Sequence, residues 1–187
     1  MARDSSATKA RILEAAFDEF AAYGIAGARV DRIADTAGAN KRMIYVYYGN
    51  KEQLFDQVIL RAVEQGAESV PFDAENLPRY AGAIFDHLSA DPRLMRLLMW
   101  KRLERPEATA LEAESYARKT ASLAAAQREG HVDPAHDPAD LLTLVLGLAQ
   151  AWYTTAGGGA DAARHRAAHR AAVVDAVARL VEVREAA

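Results

Sequence analysis

Ala34, Gly38 and Ile44 constrain the N-terminal third of this chain more than any other residues. Two short helices that cross steeply need a small residue where they touch, and Ala34 is one. The turn between them needs a residue that accepts positive φ, and Gly38, four positions on, does so without steric cost. Ile44, ten positions after Ala34, supplies the aliphatic side chain with which the second helix closes on the first. Ile33, Ala37 and Tyr48 complete the inward face. An Ala-x-x-x-Gly alone says little. Its joint spacing with Ile44, with helices on both sides, predicts a helix-turn-helix.

With Ile44 and Tyr48 turned inward, the second helix presents Asn40, Lys41, Arg42, Met43, Tyr45 and Tyr47. In a helix-turn-helix the N-terminal residues of this helix reach base edges, and flanking groups hold phosphates. Lys41 and Arg42 can donate to guanine O6 and N7 or to phosphate, Asn40 can read adenine, and Met43 can touch a thymine methyl. Tyr hydroxyls are short-reach phosphate donors. Lys51 opens a further helix, where its charge adds to exposed N–H groups that favour a phosphate. The plainer reading of the same window is a solvated basic face with packed tyrosines.

Bulk charge does not help the DNA reading. The net charge is −3, and residues 1–56 hold eight Lys/Arg against eight Asp/Glu. DNA contact must therefore come from placed groups. The chain of 187 residues, 51% hydrophobic and 26% charged, is long enough to bury a core. The absence of Cys excludes disulfides, thiolate metal sites and Cys nucleophiles. No apolar run reaches the roughly 18 residues of a membrane span, and Met1–Ser6 has no apolar signal region, so a cytoplasmic location is the expectation.

Almost every segment reads helical, because Ala is abundant and no stretch alternates with period two. Ile12, Leu13, Ala16, Phe17 and Phe20 predict a helix over 7–22, capped by Asp4, Ser5 or Ser6 and stopped by Tyr23-Gly24. Short helices near 30–37 and 40–47 follow, then a longer one from Lys51 to about Glu68. Pro71 and Pro78 mark a joint. Beyond it the pattern predicts helices near 77–89, 92–104, 107–129, 138–156 and 162–184. Asp91-Pro92 and Asp137-Pro138 each place an N-cap before a Pro at the first helical position. Gly157-Gly158-Gly159 reads as a flexible joint.

Gly24–Ala34 and Ala37–Phe55 together closely resemble the TetR-type repressors, with the match extending over roughly residues 8–60. The resemblance implies an all-α homodimer: an N-terminal three-helix helix-turn-helix DNA-binding domain and a C-terminal helical ligand-binding and dimerisation domain. The expected division is 1–50 for the first domain, continuing into a connecting helix 51–68, and 69–187 for the second. By resemblance Lys41, Arg42 and Met43 fall at base-reading positions, and Tyr45, Tyr47 and Lys51 at contact or phosphate positions. Three positions depart from the family pattern. Ala28-Arg29 replaces the usual Thr/Ser pair that caps the first helix of the motif, leaving Arg29 as a phosphate contact instead. Asn40 stands for the commoner Ser and Ala39 for the commoner Val. Asn still caps well.

In the C-terminal half, Leu141, Leu142, Leu144, Val145, Leu148, Ala149 and Trp152 give the 138–156 helix an apolar surface too wide for one core. Ala167, Ala171, Val174, Ala178, Leu180 and Val181 give the 162–184 helix small residues that permit close approach. These two helices are the expected dimer interface, a four-helix bundle with the partner's equivalents; the alternative is burial of both within the chain. Tyr80, Phe85, His87, Met95, Met99, Trp100, Tyr116, Trp152 and Tyr153 are candidate lining for an apolar or aromatic effector. Each is also an ordinary core residue type. His165 and His169 have metal-ligand spacing, but Arg164, Arg166 and Arg170 surround them, so they read as a basic face and no metal is expected.

The expected function is therefore a regulator, chiefly a repressor, that binds double-stranded operator DNA and is released by a small molecule. Control by a protein partner is the alternative within that class. A helical enzyme is a different class, and no nucleophile–base set, phosphate-cradling loop or metal set supports it; Gly157–Gly159 lacks the Lys-Ser/Thr of a P-loop. No catalytic residue and no cofactor is expected.

Overall fold

The computed structural model describes residues 2–155 and 162–183, so the Gly157–Gly159 joint lies outside the described residues. The described chain is all helical: α1 (Ala2–Gly27), α2 (Val30–Ala37), α3 (Lys41–Tyr48), α4 (Lys51–Ser69), α5 (Leu77–Ala90), α6 (Pro92–Glu104), α7 (Ala110–Arg128), α8 (Pro138–Thr154) and α9 (Ala162–Val181). No described helix is long and apolar enough to cross a membrane. The helices form two compact units. One holds residues up to 65 together with 91–107, and the other holds 66–90 and the chain from 108 onward.

In the first unit α1 buries Ile12, Ala16 and Phe20 and α4 buries Leu54 and Phe55, with the Phe20 and Phe55 rings edge to face at 5.1 Å. Ile33, Ala34 and Ala37 of α2 and Ile44 of α3 are buried, as the Ala34–Gly38–Ile44 spacing requires. Gly38 caps α2 with φ 57°, and the N–H groups of Gly38 and Ala39 return to Asp35 and Ala34 carbonyls.

α1 starts earlier than the expected 7–22 helix and resumes for a turn after its break. It begins at Ala2, without needing the caps proposed at Asp4, Ser5 or Ser6. At its other end the regular helix is interrupted where expected, at Tyr23-Gly24, Gly24 having φ 67° and ψ −174°, and a further helical turn carries the chain on to Gly27. The reason lies in α6. Arg96 donates to the Ala21 and Ala22 carbonyls before the break (3.0 and 3.2 Å), and the Glu104 carboxylate accepts from Ile25 N–H and Ala26 N–H after it. Trp100 covers Gly24 so closely that a Cβ there would stand 2.8 Å from the indole. α6 thus caps both sides of an interruption that would otherwise leave backbone groups unpaired. α6 follows Pro71 and Pro78 in sequence, yet it packs with the N-terminal helices.

The second unit closes around Leu77, Tyr80, Phe85, Leu123, Leu141, Leu142, Val145, Val173 and Val177, drawn from α5, α7, α8 and α9. The Asp-Pro starts behave as expected: Asp91 accepts from Arg93 N–H at 3.0 Å, and Asp137 from Ala139 N–H at 2.8 Å. α7 starts at Ala110 rather than near 107, because Thr109 and Glu112 form a reciprocal capping box. Gly130, at φ 77°, turns the chain after α7, and Asp133 N–H then donates to the Val181 carbonyl at 3.1 Å.

Candidate nucleic-acid interface

α3 is anchored at its start by Asn40, whose side-chain oxygen accepts from Arg42 N–H at 2.8 Å. Its amide nitrogen remains for another partner. Ile44 seats the helix at 2% exposure, and Lys41, Arg42, Tyr45 and Val46 are exposed. Met43 and Tyr47 are half-buried. Tyr48 is also half-buried; it donates to the Lys9 carbonyl of α1 at 3.0 Å, and burial raises its phenol pKa. Of the expected α3 residues, Lys41, Arg42 and Tyr45 are therefore open to solvent, and Met43 and Tyr47 only in part. Val46, absent from the expected contacts, is 66% exposed on the same helix, three residues after Met43.

Three lysines around α3, Lys41, Lys51 and Lys9, each have a neighbour that engages them. Lys41 pairs with Asp31 of α2 at 2.8 Å. That hydrogen bond lowers the Asp31 carboxyl pKa and raises that of the Lys41 ammonium. Lys51, at the start of α4, donates to the Ala28 carbonyl at 3.2 Å, which uses one of its three N–H groups. Its helix is capped by Asn50 and Gln53, each side chain accepting from the other's backbone N–H. Lys9 stands 5.1 Å from the Tyr47 ring centroid, a cation at the edge of the surface that its sequence position alone does not single out.

Arg29 occupies the N-cap position of α2 and makes no side-chain cap, in keeping with the Ala28-Arg29 departure. The α1–α2 corner is held instead by Glu19, whose carboxylate accepts from Arg29 N–H at 2.8 Å and from two guanidinium nitrogens of Arg32. That carboxylate raises the Arg32 pKa further. Glu19 and Arg32 were not among the expected site residues; the missing Thr/Ser cap was the signal that something else must hold this corner.

The nine residues expected to line a pocket divide between the two units. Met95, Met99 and Trp100 lie on α6 in the first unit: Met95 is buried, Trp100 covers Gly24, and Met99 is exposed. In the second unit, Phe85 meets Trp152 and Tyr153, both at 6.4 Å between centroids, and the Tyr153 hydroxyl lies 2.6 Å from that of Ser89. Trp152 packs on His169 at 4.5 Å. Tyr116 is satisfied by the Ala139 carbonyl and Thr143, and His87 is half-buried near Gly66. A separate open cleft of about 590 Å³ is lined by Val70, Phe72, Arg79, Tyr80 and Ser122 among others, and Tyr80 alone of the nine reaches it. Phe72 and Tyr80 meet edge to face there at 4.9 Å. Among the described residues Glu75, Glu129 and His131 bring possible metal-ligand atoms within 4.8 Å of one another, but all three are exposed and stand outside the helix-turn-helix.

A short helix seated by Ile44, preceded by a Gly turn and presenting cations and tyrosines outward, defines a helix-turn-helix protein built wholly of helices where described. Residues 12–58 match the profile of the bacterial regulatory proteins of the tetR family, and residues 76–179 match the tetracyclin repressor-like C-terminal domain. The chain belongs to the TetR family, as a DNA-binding transcription regulator and not an enzyme. Among its relatives is the HTH-type transcriptional repressor SCO4008 of Streptomyces coelicolor, 45% identical over 152 residues, which are 79% of this chain and 79% of that protein. The HTH-type transcriptional repressor NicS of Pseudomonas putida is 41% identical over 58 residues, 31% of this chain and 27% of that protein. The crystal structure of the transcriptional regulator SCO4942 from Streptomyces coelicolor superposes with a TM-score of 0.82 at 37% identity, covering 95% of this chain and 99% of that one.

Proposed function

We propose that the protein is a homodimeric repressor that binds a pseudo-palindromic operator through α3 and is released by a small apolar or aromatic ligand. In this reading Lys41, Arg42 and Met43 read bases, Asn40 caps α3 and offers its amide to a base, and Tyr45, Tyr47, Lys51 and Arg29 hold phosphates. The observation that carries the reading is the polarity of α3: Ile44 is 2% exposed while Lys41, Arg42 and Tyr45 are open to solvent. The relatives named as repressors support the direction of control. The effector belongs to the second unit, where an aromatic group around Phe85 and the cleft beside Phe72 and Tyr80 offer apolar surface.

The test is selection of bound sequences from a random duplex pool, repeated with candidate ligands. It should yield two half-sites about 34–36 Å apart, one helical turn or a multiple. Lys41→Ala and Arg42→Ala should each weaken binding of the selected duplex by about 1–3 kcal/mol and relax preference at the base read. Unchanged affinity in both single variants and the double variant would remove α3 from the interface.

A further inference from the structure

Glu19 is the one buried charged side chain among the described residues, at 8% exposure. An ionised carboxylate withdrawn from water is tolerated only where close donors replace its hydration. Here the donors are Arg29 N–H at 2.8 Å, Arg32 Nε at 2.9 Å and Arg32 Nη2 at 2.6 Å. Arg32 also donates to the Gly27 carbonyl at 3.0 Å and lies over the Tyr23 ring at 4.4 Å. Lys51 takes the Ala28 carbonyl from the other side. Polar backbone groups at Gly27, Ala28 and Arg29 are thus each gripped by a charged side chain, at a corner where the helix has no cap of its own.

A hydroxyl cap would stabilise only the start of α2. The Glu19 arrangement does more: it ties α1 to the residue that precedes α2 and, through Arg32, to the first turn of α2 itself. Both ends of the 27–29 corner are then fixed to the buried side of α1. Arg29 leaves this corner outward, and Lys51 reaches it.

We propose that Glu19 is a positioning residue for operator binding, which holds the 27–29 corner so that Arg29 and Lys51 meet DNA phosphates in register with α3. The inference rests on the α3 interface proposed above. Glu19→Leu removes the acceptor while keeping an apolar side chain of similar length, and Glu19→Gln keeps one oxygen to accept from Arg29 and Arg32. Binding of the selected duplex is measured against salt for the folded protein, with thermal unfolding recorded in parallel and Arg42→Ala as reference.

The expected result is a loss of about ten-fold or more for Glu19→Leu, a salt slope reduced by about 1–2, and an intermediate loss for Glu19→Gln. A salt slope that falls shows lost phosphate contacts, which a purely structural role does not produce. If Glu19→Leu only lowers the melting temperature and leaves affinity and slope unchanged while Arg42→Ala binds weakly, the positioning role is overturned and the interface stands. If neither Arg42→Ala nor Glu19→Leu alters binding, the interface itself is wrong. Should Glu19→Leu fail to fold, the salt slope of Glu19→Gln decides: an unchanged slope overturns the proposal and a reduced one supports it.

Discussion

On the proposed interface Lys41 would meet DNA already paired. Its 2.8 Å contact with Asp31 joins two exposed groups, so the pair adds little to folding stability. It matters for binding, because Asp31 both occupies the ammonium and places a negative charge beside the DNA-facing helix. To read a base, Lys41 must leave Asp31 or carry it along. Asp31→Asn should therefore raise duplex affinity several-fold at about 50 mM salt, with the gain shrinking as salt screens the interaction. A binding titration at two ionic strengths reads this directly; lower affinity in the variant would mean that Asp31 orients Lys41 rather than competes for it. The same residue-scale logic explains why a formally neutral N-terminal segment can serve DNA at all. Lys41, Lys51 and Arg32 are each set in place by a named partner rather than spread as a general positive field.

At the scale of the helix, α6 is a working part of the first unit. Arg96 and Glu104 close the two sides of the break in α1, and Trp100 fills the space above Gly24. Glu104→Ala should strand Ile25 N–H and Ala26 N–H and cost about 1–3 kcal/mol, measured by chemical denaturation. A variant as stable as the parent would show that water replaces the carboxylate without loss. Much of the architecture was legible in sequence. Ala34, Gly38 and Ile44 located α2 and α3, and Asp91-Pro92 and Asp137-Pro138 located the starts of α6 and α8. The packing of α6 was not legible, because period and capping report where a helix lies and which face is apolar, not which neighbour covers it. Gly24 was legible as the interruption of α1, but the turn that resumes after it was not, because it depends on Glu104 of α6 capping the open backbone. The assignment of Met95, Met99 and Trp100 to the first unit follows from that one packing choice. Glu19 was not legible because, next to Asp18 on the same helix, nothing in its spacing marks it as the acid that turns inward to the corner.

For the molecule as a whole, one short recognition helix offers few contacts for a regulator's selectivity, and in the proposed dimer the second unit would supply a second copy. α8 buries Leu141, Leu142, Val145 and Ala149, yet leaves Leu144 45% exposed and Gly147 open beside it. α9 buries Val173 and Val177 and exposes Ala167, Ala171 and Ala178. Each helix thus has a second apolar or small-residue face that its own core does not use, the pattern expected where two copies meet in a four-helix bundle. Leu144→Asp would place like charges opposite each other across a two-fold interface while leaving the intramolecular core intact. It should give a monomer at micromolar concentration by sedimentation, with helix content unchanged. The same variant should lose most of its affinity for the full operator while approaching the parent on an isolated half-site, because α3 is untouched and only the covalent pairing of half-sites in DNA has lost its match. A dimeric Leu144→Asp protein with full operator affinity would move the interface off this face of α8, and the two recognition helices would have to be spaced by another surface.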